Sequence, residues 1–361
     1  MSRLAAAVVV VLSSLGVVGT APALAAPSSG AKFVVLNSLP ESGRDSGIKI
    51  NSRSQVVGIT VLPPFSVNNY RATLWKASKT AVDLGSVLGD TSAANDINSG
   101  GTIVGRASTY YGGRAVIWDA ASHTPTVLPA PGGPANSGAN AEARGVNTTG
   151  LVAGWAAPGT STSSSHAVVW NPAAGSVSDI GTLCGEGQPW VDGSAASDIN
   201  DSGYVVGRSN ACTGYGSHAF VWNPNTNVMT DISGGAVQSE ANAVNGAGQV
   251  VGYRYDASFS CSSPFIWDPV TGVTTVIDVG CVEDGAAFDI NGKGQVVGRA
   301  RGQAIFWSPT AGLVYLNQFL PAGWTAWDAY GINDKGEITG TAVDIDFRIH
   351  AYVLTLPRAY R

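Results

Sequence analysis

Acidic residues in two stretches of the sequence have the side chains needed for sugar-bond chemistry. Glu186 and Asp192 lie in one stretch, and Glu283 and Asp284 lie in the other. Glycosidases place two carboxyl groups about 5 to 10 Å apart, one acting as the acid and one as the base or nucleophile. If adjacent loops bring a pair of these residues to that distance, the chain is a carbohydrate-active enzyme, either a glycosidase or a polysaccharide lyase.

Aromatic and arginine residues indicate a different chemistry, the binding of a ligand without a reaction. Sugar rings and other amphipathic ligands bind to aromatic faces flanked by polar donors. The candidate binding residues are Trp155, Trp190, Trp324, Trp327, Arg106, Arg208, Tyr253, Arg254 and Arg299. The alternative is that these aromatic residues only cover a hydrophobic interior.

Other reaction types lack their sequence signatures. The chain has no Gly-x-x-x-x-Gly-Lys-Ser/Thr phosphate loop, no His-Glu-x-x-His zinc helix and no Gly-x-Ser-x-Gly nucleophile elbow. The four Cys residues include no Cys-x-x-Cys pair, which disfavours zinc. Calcium is a weak alternative at residues 198–203 and 289–294, because it needs six to eight oxygen ligands and Lys293 lies inside the second stretch. We expect no metal, no cofactor and no complete catalytic site.

A repeat decides where all these residues lie. In each copy Ile or Val precedes an Asn, and a Gly follows seven residues after that Asn. The pairs are Asn51/Gly58, Asn98/Gly105, Asn147/Gly154, Asn200/Gly207, Asn245/Gly252, Asn291/Gly298 and Asn333/Gly340. Successive Asn residues are 42 to 53 positions apart, a period typical of repeat architectures.

Each unit predicts four β-strands in series. The fourth unit shows them most clearly, with a hairpin at residues 200–203, a third strand at residues 218–222 and a fourth at residues 228–232. Asn favours the first position of a type I turn, and Gly favours the later position where φ is often positive. The repeated Asn-x-x-Gly spacing therefore has a backbone cause.

The two ends of the chain indicate that the units close into a ring. The seventh unit stops after its third strand, residues 350–354, whereas an unpaired strand at residues 33–37 opens the folded chain. That opening strand shares the pattern Val-x-Leu-Asn with residues 314–317, the fourth strand of the sixth unit. Closing the last unit with the first strand removes the free sheet edges of an open array. We predict an all-β, seven-bladed β-propeller of four-stranded antiparallel blades, forming a single domain over residues 26–361.

Crowding near the axis of such a ring predicts small residues on the innermost strand. They occur at Ala94, Ala143, Ala196, Ala241, Ala287 and Ala329, with Asp96, Gly145, Asp198, Ala243, Asp289 and Gly331 two positions later. The third strands end in Trp75, Trp118, Trp170, Trp222, Trp267 and Trp307. We expect these Trp rings to fill the space that the repeat Gly leaves open on the neighbouring strand.

The repeat resembles the HAF-repeat family of extracellular bacterial proteins. The resemblance is carried by Asp198-Ile199-Asn200, Val205-Val206-Gly207 and His218-Ala219-Phe220-Val221-Trp222, and it extends over nearly all of residues 26–361. His-Ala-Phe is intact only in the fourth unit, so the His has no obligatory role in each blade. The resemblance implies a secreted, propeller-like repeat protein and assigns no biochemical role.

Four Cys residues in an exported chain suggest two disulfides, with three possible pairings. Cys184 precedes the fourth unit and Cys212 lies between its second and third strands, while Cys261 and Cys281 occupy the corresponding loops within and after the fifth unit. In a propeller these loops share one face. We therefore predict Cys184–Cys212 and Cys261–Cys281.

The first residues predict export. An apolar run from Leu4 to Val18 follows Arg3 and leads to Ala23-Leu24-Ala25, so we expect a signal peptide at residues 1–25 rather than a membrane anchor. Its removal leaves 19 Lys plus Arg against 25 Asp plus Glu, a net charge of −6. An acidic chain argues against nucleic acid as a partner. We expect a secreted monomer without a membrane span.

Three functions remain open. The first is a non-catalytic protein that presents its loops to a carbohydrate, a cell-envelope component or another protein. The second is the carbohydrate-active enzyme. The third is a purely structural extracellular repeat.

Overall fold

The fold is an all-β propeller, and its strands follow the order that the repeat predicts. The computed structural model describes residues 30–63, 69–89, 91–109, 112–131, 140–157, 165–185, 193–212 and 216–361. The expected signal peptide lies outside these residues. No helix in these ranges has the length and apolar composition needed to cross a membrane.

The described strands form five separate four-stranded sheets and one eight-stranded sheet, in which one parallel pair, Arg44 with Ile349, joins the first and last groups of four. Counting that larger sheet as two blades, we number the blades 1 to 7 in chain order. The innermost strands are β2 (Arg44–Ile50), β6 (Thr91–Ile97), β10 (Ala141–Val146), β14 (Ser194–Ile199), β18 (Gln238–Val244), β22 (Ala286–Ile290) and β26 (Thr325–Ile332). The second strands are β3 (Val56–Val61), β7 (Ile103–Thr109), β11 (Val152–Ala156), β15 (Val205–Asn210), β19 (Val250–Tyr255), β23 (Val296–Ala300) and β27 (Glu337–Val343).

The outer half of each blade consists of two more antiparallel strands. The third strands are β4 (Tyr70–Trp75), β8 (Gly112–Trp118), β12 (His166–Asn171), β16 (Ser217–Asn223), β20 (Ser262–Trp267), β24 (Gln303–Ser308) and β28 (Ile349–Thr355). The fourth strands are β5 (Ala81–Asp83), β9 (Pro125–Val127), β13 (Ser176–Asp179), β17 (Val228–Asp231), β21 (Thr274–Val276), β25 (Gly312–Tyr315) and, for blade 7, β1 (Lys32–Val35). Short 3₁₀ turns occupy Leu316–Phe319 and Arg358–Tyr360.

The predicted closure by the N-terminal strand is confirmed. Strand β1 pairs antiparallel with β28, with Phe33 opposite Leu354 and Val35 opposite Tyr352. Each innermost strand contacts the innermost strands of both neighbouring blades, including β2 with β26. The innermost strands therefore surround a central channel.

The repeated Asn joins the blades as well as forming the turn. Its side-chain oxygen accepts backbone N–H bonds within its own hairpin, as Asn200 does from Ser202 and Tyr204. Its side-chain amide donates to the main-chain carbonyl of the next Asn in the series, at 2.9 to 3.2 Å. The series runs from Asn51 through Asn98, Asn147, Asn200, Asn245, Asn291 and Asn333 and returns to Asn51. We call the end of the molecule that carries this Asn ring the turn face.

The opposite end carries the loops that connect the second strand to the third and each blade to the next. Both predicted disulfides, Cys184–Cys212 and Cys261–Cys281, are present in these loops. We call this end the disulfide face.

The prediction that the Trp rings fill the space beside the repeat Gly was wrong. A Cβ at Gly207 would lie 2.1 Å from the main-chain oxygen of Ala195, on the innermost strand of the same blade. That strand, and not a Trp ring, occupies the space beside the glycine. The Trp rings pack farther out, and the buried Trp118 donates its indole N–H to the Leu84 carbonyl at 2.9 Å.

Candidate functional site at the channel mouth

A β-bulge in every innermost strand determines which side chains reach the channel. In each blade the pairing with the second strand skips the residue three positions before the repeated Asn. Bulges redirect side chains and are common beside functional sites. The carbonyl two residues before each bulged residue lies against the repeat Gly, where a Cβ would collide with it.

The seven bulged residues are adjacent around the channel, and we call them the bulge ring. They are Ile48, Asn95, Arg144, Ser197, Asn242, Phe288 and Tyr330. Two side chains of the ring reach over the next blade, since Asn95 and Asn242 donate to the carbonyls of Ala143 and Ala287 at 2.8 and 2.7 Å. All except Asn95 keep partial solvent exposure although they lie on the innermost strands. Flanking blades cover the sides of those strands, so we attribute this exposure to the channel.

One residue beyond each bulge, blades 2, 4 and 6 carry Asp96, Asp198 and Asp289. Each of these aspartates accepts a backbone N–H from the next blade, for example from Val146 to Asp96 at 2.8 Å. Small residues at the same position of blades 3, 5 and 7 leave room for the carboxylates.

Blade 1 carries Lys49 at the same position, and its ammonium group donates to Asp289 at 2.6 Å. Burial opposes the charged form of Lys49, but Asp289, Asp198 and Asp96 outweigh burial and raise the pKa of this lysine. Burial raises the pKa of Asp198 to about 7 against the lowering effect of Lys49. The channel thus holds three carboxyl groups and one ammonium group.

Nearer the disulfide face, three arginines meet three carboxylates between neighbouring blades. Arg106, Arg208 and Arg299 each follow the repeat Gly in blades 2, 4 and 6, and each points toward an acidic residue of the next blade. The partners are Glu142, Glu240 and Asp328 respectively. The distances are 3.7 Å for Arg208 to Glu240 and 3.4 Å for Arg299 to Asp328. We call these the three arginine–carboxylate groups.

Additional donors from the carboxylate's own blade hold these groups in place. Trp155 donates its indole N–H to Glu142 at 3.0 Å, and Tyr253 donates its hydroxyl to Glu240 at 2.9 Å. Burial pushes the pKa of Glu142 up, but Arg144 and Arg106 outweigh burial and hold it below its ordinary value. At Asp328, burial outweighs the arginine and raises the pKa.

The charged residues around the channel therefore alternate from blade to blade, and three pairs of neighbouring blades have the same arrangement. Blades 2, 4 and 6 supply an arginine and a channel aspartate, while blades 3, 5 and 7 supply the acidic partner and a small residue. Blade 1 belongs to none of these pairs of blades. It has Ser46 at the position of the acidic partner, Lys49 at the position of the channel aspartate and Ile59 at the position of the arginine. An odd number of blades leaves one without a partner, and its lysine offsets part of the acidic charge.

Several residues predicted from the sequence meet at this mouth. They are Arg106, Arg208, Arg299, Trp155 and Tyr253. Trp327 lies on β26 at a second bulge, between Ala326 and Asp328, and is partly buried.

Other predicted binding residues do not join this cluster. Arg254 points to a blade connection and donates to the Gly234 carbonyl at 3.4 Å. Trp324 packs against Phe33 and His350, with ring centroids 5.3 and 5.2 Å apart, and so covers the closure of blade 7. Trp190 lies outside the described residues.

Of the proposed catalytic carboxylates, only Glu283 and Asp284 lie in the described part of the chain, while Glu186 and Asp192 do not. Asp284 accepts hydrogen bonds from Arg299 at 2.9 Å and from the backbone of Arg301 and Gly302. Burial raises its pKa, but these donors outweigh burial and hold it below its ordinary value. Glu283 is exposed beside it.

A cleft of about 210 Å³ lies beside Arg208. It is lined by Ser165, Gly193, Ser194, Arg208 and Asn210. Within the ranges that the structure describes, no three His, Cys, Asp or Glu side chains are grouped so that they could hold a metal ion.

The sequence interpretation missed the bulge ring, Lys49 and the acidic members of the three arginine–carboxylate groups. A signal was present, because aligning the seven units on Asn shows the acidic residue five positions before it in blades 3, 5 and 7. The bulge itself has no such signal, because the small residues that accompany it also fit a regular strand.

No family model matches the chain, and no curated protein matches it. The resemblance to HAF-repeat proteins therefore stays a prediction.

Solved structures similar to the chain show its fold class. An oligogalacturonate lyase in complex with manganese has a TM-score of 0.56 at 12% identity, covering 92% of this chain and 96% of the lyase. A puromycin-hydrolysing peptidase of Mycobacterium tuberculosis has a TM-score of 0.57 at 14% identity, covering 88% of this chain and 55% of the peptidase. The β-propeller domain of the trilobed protease from Pyrococcus furiosus has a TM-score of 0.53 at 9% identity, covering 86% of this chain and 95% of that domain. Other matches are longer, and the chain spans 39% to 64% of their length.

Proposed function

We propose that the chain is a secreted, non-catalytic binding protein that holds an extracellular ligand at the channel mouth of its disulfide face. A carbohydrate is the favoured ligand, either free or as part of a cell envelope. We also propose that the chain belongs with the HAF-repeat proteins.

The observation that carries this proposal is the set of three arginine–carboxylate groups. Each places a guanidinium and a carboxylate from neighbouring blades at the same depth of the channel, and Trp155 and Tyr253 orient two of the carboxylates. Binding sites use a few oriented polar groups beside aromatic rings to fix a ligand. Paired donors and acceptors suit hydroxyl groups, which both donate and accept hydrogen bonds.

The same contacts support binding rather than catalysis. A general acid needs a carboxyl group that stays protonated near the working pH. The pKa values of Glu142 and Asp284 are shifted downward, so these groups are ionised and already accept hydrogen bonds. Asp328 and Asp198 have raised pKa values, but Asp328 is held by Arg299 and Asp198 accepts the backbone N–H of Val244. The likeness to a lyase concerns the fold and assigns no reaction.

Export is supported by the two disulfides, because such bonds form and persist in oxidising compartments. We expect the native host to release a chain that begins at Ala26. N-terminal sequencing of the released protein tests this, and a chain that keeps residues 1–25 contradicts it.

The binding proposal is tested with residues 26–361 on an array of bacterial and plant glycans. We expect selective binding, and we expect Arg208→Ala to weaken it roughly tenfold by removing one arginine–carboxylate group. Arg53→Ala is the matched control, because Arg53 lies on the turn face and its guanidinium donates to the Gly100 carbonyl there.

The other functions predict different results. Release of shortened or unsaturated sugars from a bound glycan identifies the enzyme. A folded protein that binds no glycan but binds a purified envelope protein identifies a protein ligand. A folded protein that binds neither supports the structural repeat.

A further inference from the structure

We infer that the bulge ring is a subsite for the terminal residue of a neutral saccharide. In this subsite Phe288 and Tyr330 stack on the sugar ring, while Asn95 and Ser197 bind its hydroxyl groups. This inference rests on the proposed function and specifies the ligand class and its position.

One side of the bulge ring is largely apolar, and its one hydroxyl group, on Tyr330, is hydrogen-bonded to Asp328. Blades 6, 7 and 1 are neighbours in the closed ring, and they contribute Phe288, Tyr330 and Ile48. The rings of Phe288 and Tyr330 have centroids 5.0 Å apart and planes 35° apart, so they form one extended aromatic surface. Both side chains are partly exposed. An aromatic face of this kind suits the C–H face of a sugar ring.

The other side of the bulge ring is polar. Blades 2 to 5 contribute Asn95, Arg144, Ser197 and Asn242. The side-chain oxygens of Asn95 and Ser197 are buried and have no hydrogen-bond partner among the described residues. Asn95 is only 8% exposed, and its amide is fixed on Ala143 and Glu142 while its oxygen remains unpaired. A buried unpaired acceptor is costly, and a hydroxyl group of a ligand satisfies it.

The charges around this subsite favour a neutral ligand. Asp96, Asp198 and Asp289 lie one residue beyond the bulge, and Lys49 is their ammonium partner. At the mouth each arginine offsets its own carboxylate, and Arg144 of the bulge ring is paired with Glu142 at 3.4 Å. A uronate or sialate carboxylate at the subsite therefore meets cations that are already paired and the carboxyl groups one residue beyond the bulge, whereas hydroxyl groups can donate to those carboxyl groups.

The closed ring of strands favours the end of a saccharide, rather than an internal segment, as the ligand of this subsite. Seven strands surround the bulge ring, so a polysaccharide cannot pass across it sideways. A terminal sugar residue or a one-residue branch can enter from the disulfide face, with the rest of the saccharide lying on the loops.

The test uses methyl hexosides of glucose, galactose and mannose, together with the matching methyl uronates, in ligand-observed NMR and calorimetry with residues 26–361. We expect at least one neutral hexoside to bind and its uronate to bind at least about tenfold more weakly. Phe288→Ala is expected to weaken hexoside binding roughly tenfold. Phe347→Ala is the matched control, because Phe347 is 84% exposed on a loop of the same face.

Ser197→Ala keeps the test independent of folding. Its hydroxyl has no partner among the described residues, so its removal leaves the melting temperature unchanged or raises it. We expect hexoside binding to weaken roughly fivefold, the value of one hydrogen bond.

Three results overturn the inference while leaving the proposed function intact. They are glycan binding that Arg208→Ala weakens but Phe288→Ala and Ser197→Ala do not, equal binding of hexoside and uronate, and binding only of internal polysaccharide segments. Absence of all glycan binding by a folded protein overturns this inference and the carbohydrate part of the proposed function together.

Discussion

The two ends of the channel are built on opposite principles. At the turn face the same Asn occurs in every blade, and each one bonds to the next in a closed ring. At the disulfide face the residues differ from blade to blade: the position after the repeat Gly is arginine only in blades 2, 4 and 6, and the position five residues before the repeated Asn is acidic only in blades 3, 5 and 7. Positions that close the ring need identical backbone geometry, whereas positions that face a ligand do not. Substitutions at the turn face should therefore change stability, and substitutions at the mouth should change binding.

Between the two ends lies Lys49, and its removal should have the largest effect on stability. Lys49→Met leaves three buried aspartates without their ammonium partner, so we expect a loss of roughly 3–5 kcal/mol at pH 8. The pKa values of Asp96 and Asp198 are already raised, and they rise further without Lys49. The folded state then binds more protons than the unfolded state, so the loss grows as pH rises from about 4 through these folded-state values.

Chemical denaturation of the unsubstituted protein and of Lys49→Met at pH 5 and pH 8 measures how the loss of stability depends on pH. We expect a smaller loss at pH 5, because Asp96 and Asp198, whose pKa values are raised, are protonated to a larger extent there. Lys335→Met is the control, because Lys335 lies on the turn face and donates to Ser54. An equal loss at both pH values contradicts a role for charge.

The repeat Gly should be the next most sensitive position. Gly207→Ala places a Cβ 2.1 Å from the Ala195 oxygen, and we expect it to cost about 2 to 3 kcal/mol by forcing the innermost strand to move away. A Cβ at Gly246 meets no atom within 4 Å, so Gly246→Ala should be nearly neutral. Urea denaturation of the two variants separates the effects, and equal costs contradict a steric cause at Gly207.

Breaking the Asn ring at one position should cost less. Asn200→Ala removes the bond to the Asn245 carbonyl and the two backbone N–H bonds within the hairpin, and we expect a loss of about 2 kcal/mol. Glycan affinity should not change, because the ring lies at the other end of the channel. Asn225→Ala, at an exposed turn residue, is the control for stability. A large loss of affinity in Asn200→Ala shows that the two ends are coupled.

Removing a side-chain contact between the outer strands should cause the smallest loss of stability. Asp231→Asn removes the 2.7 Å contact with His218, which is partly exposed, so we expect a loss below about 1 kcal/mol. Burial raises the pKa of Asp231, but hydrogen bonds from Ser233 and His218 outweigh it and lower the pKa. The contribution is therefore present above the unfolded value of about 3.8 and is lost as pH falls below it. Melting curves at pH 3 and pH 6 check this, and a larger loss at pH 3 contradicts it.

The sequence predicted more of the fold than of the site. The strand order, the closure of blade 7 by β1 and both disulfides follow from local patterns and from the order of segments along the chain. Arg106, Arg208 and Arg299 stood out because they follow the repeat Gly. Their carboxylate partners did not stand out, because each lies on the next blade and no local pattern links the two.

The amino-acid sequence by itself determined the features that depend on backbone chemistry, since a tight turn selects Asn and Gly wherever it occurs. Only the tertiary structure decided which side chains share the channel. A one-residue bulge changes the direction of a side chain without changing its neighbours in sequence. The groups that then meet, such as Lys49 and Asp289, come from strands 240 residues apart and are joined only by closure of the ring.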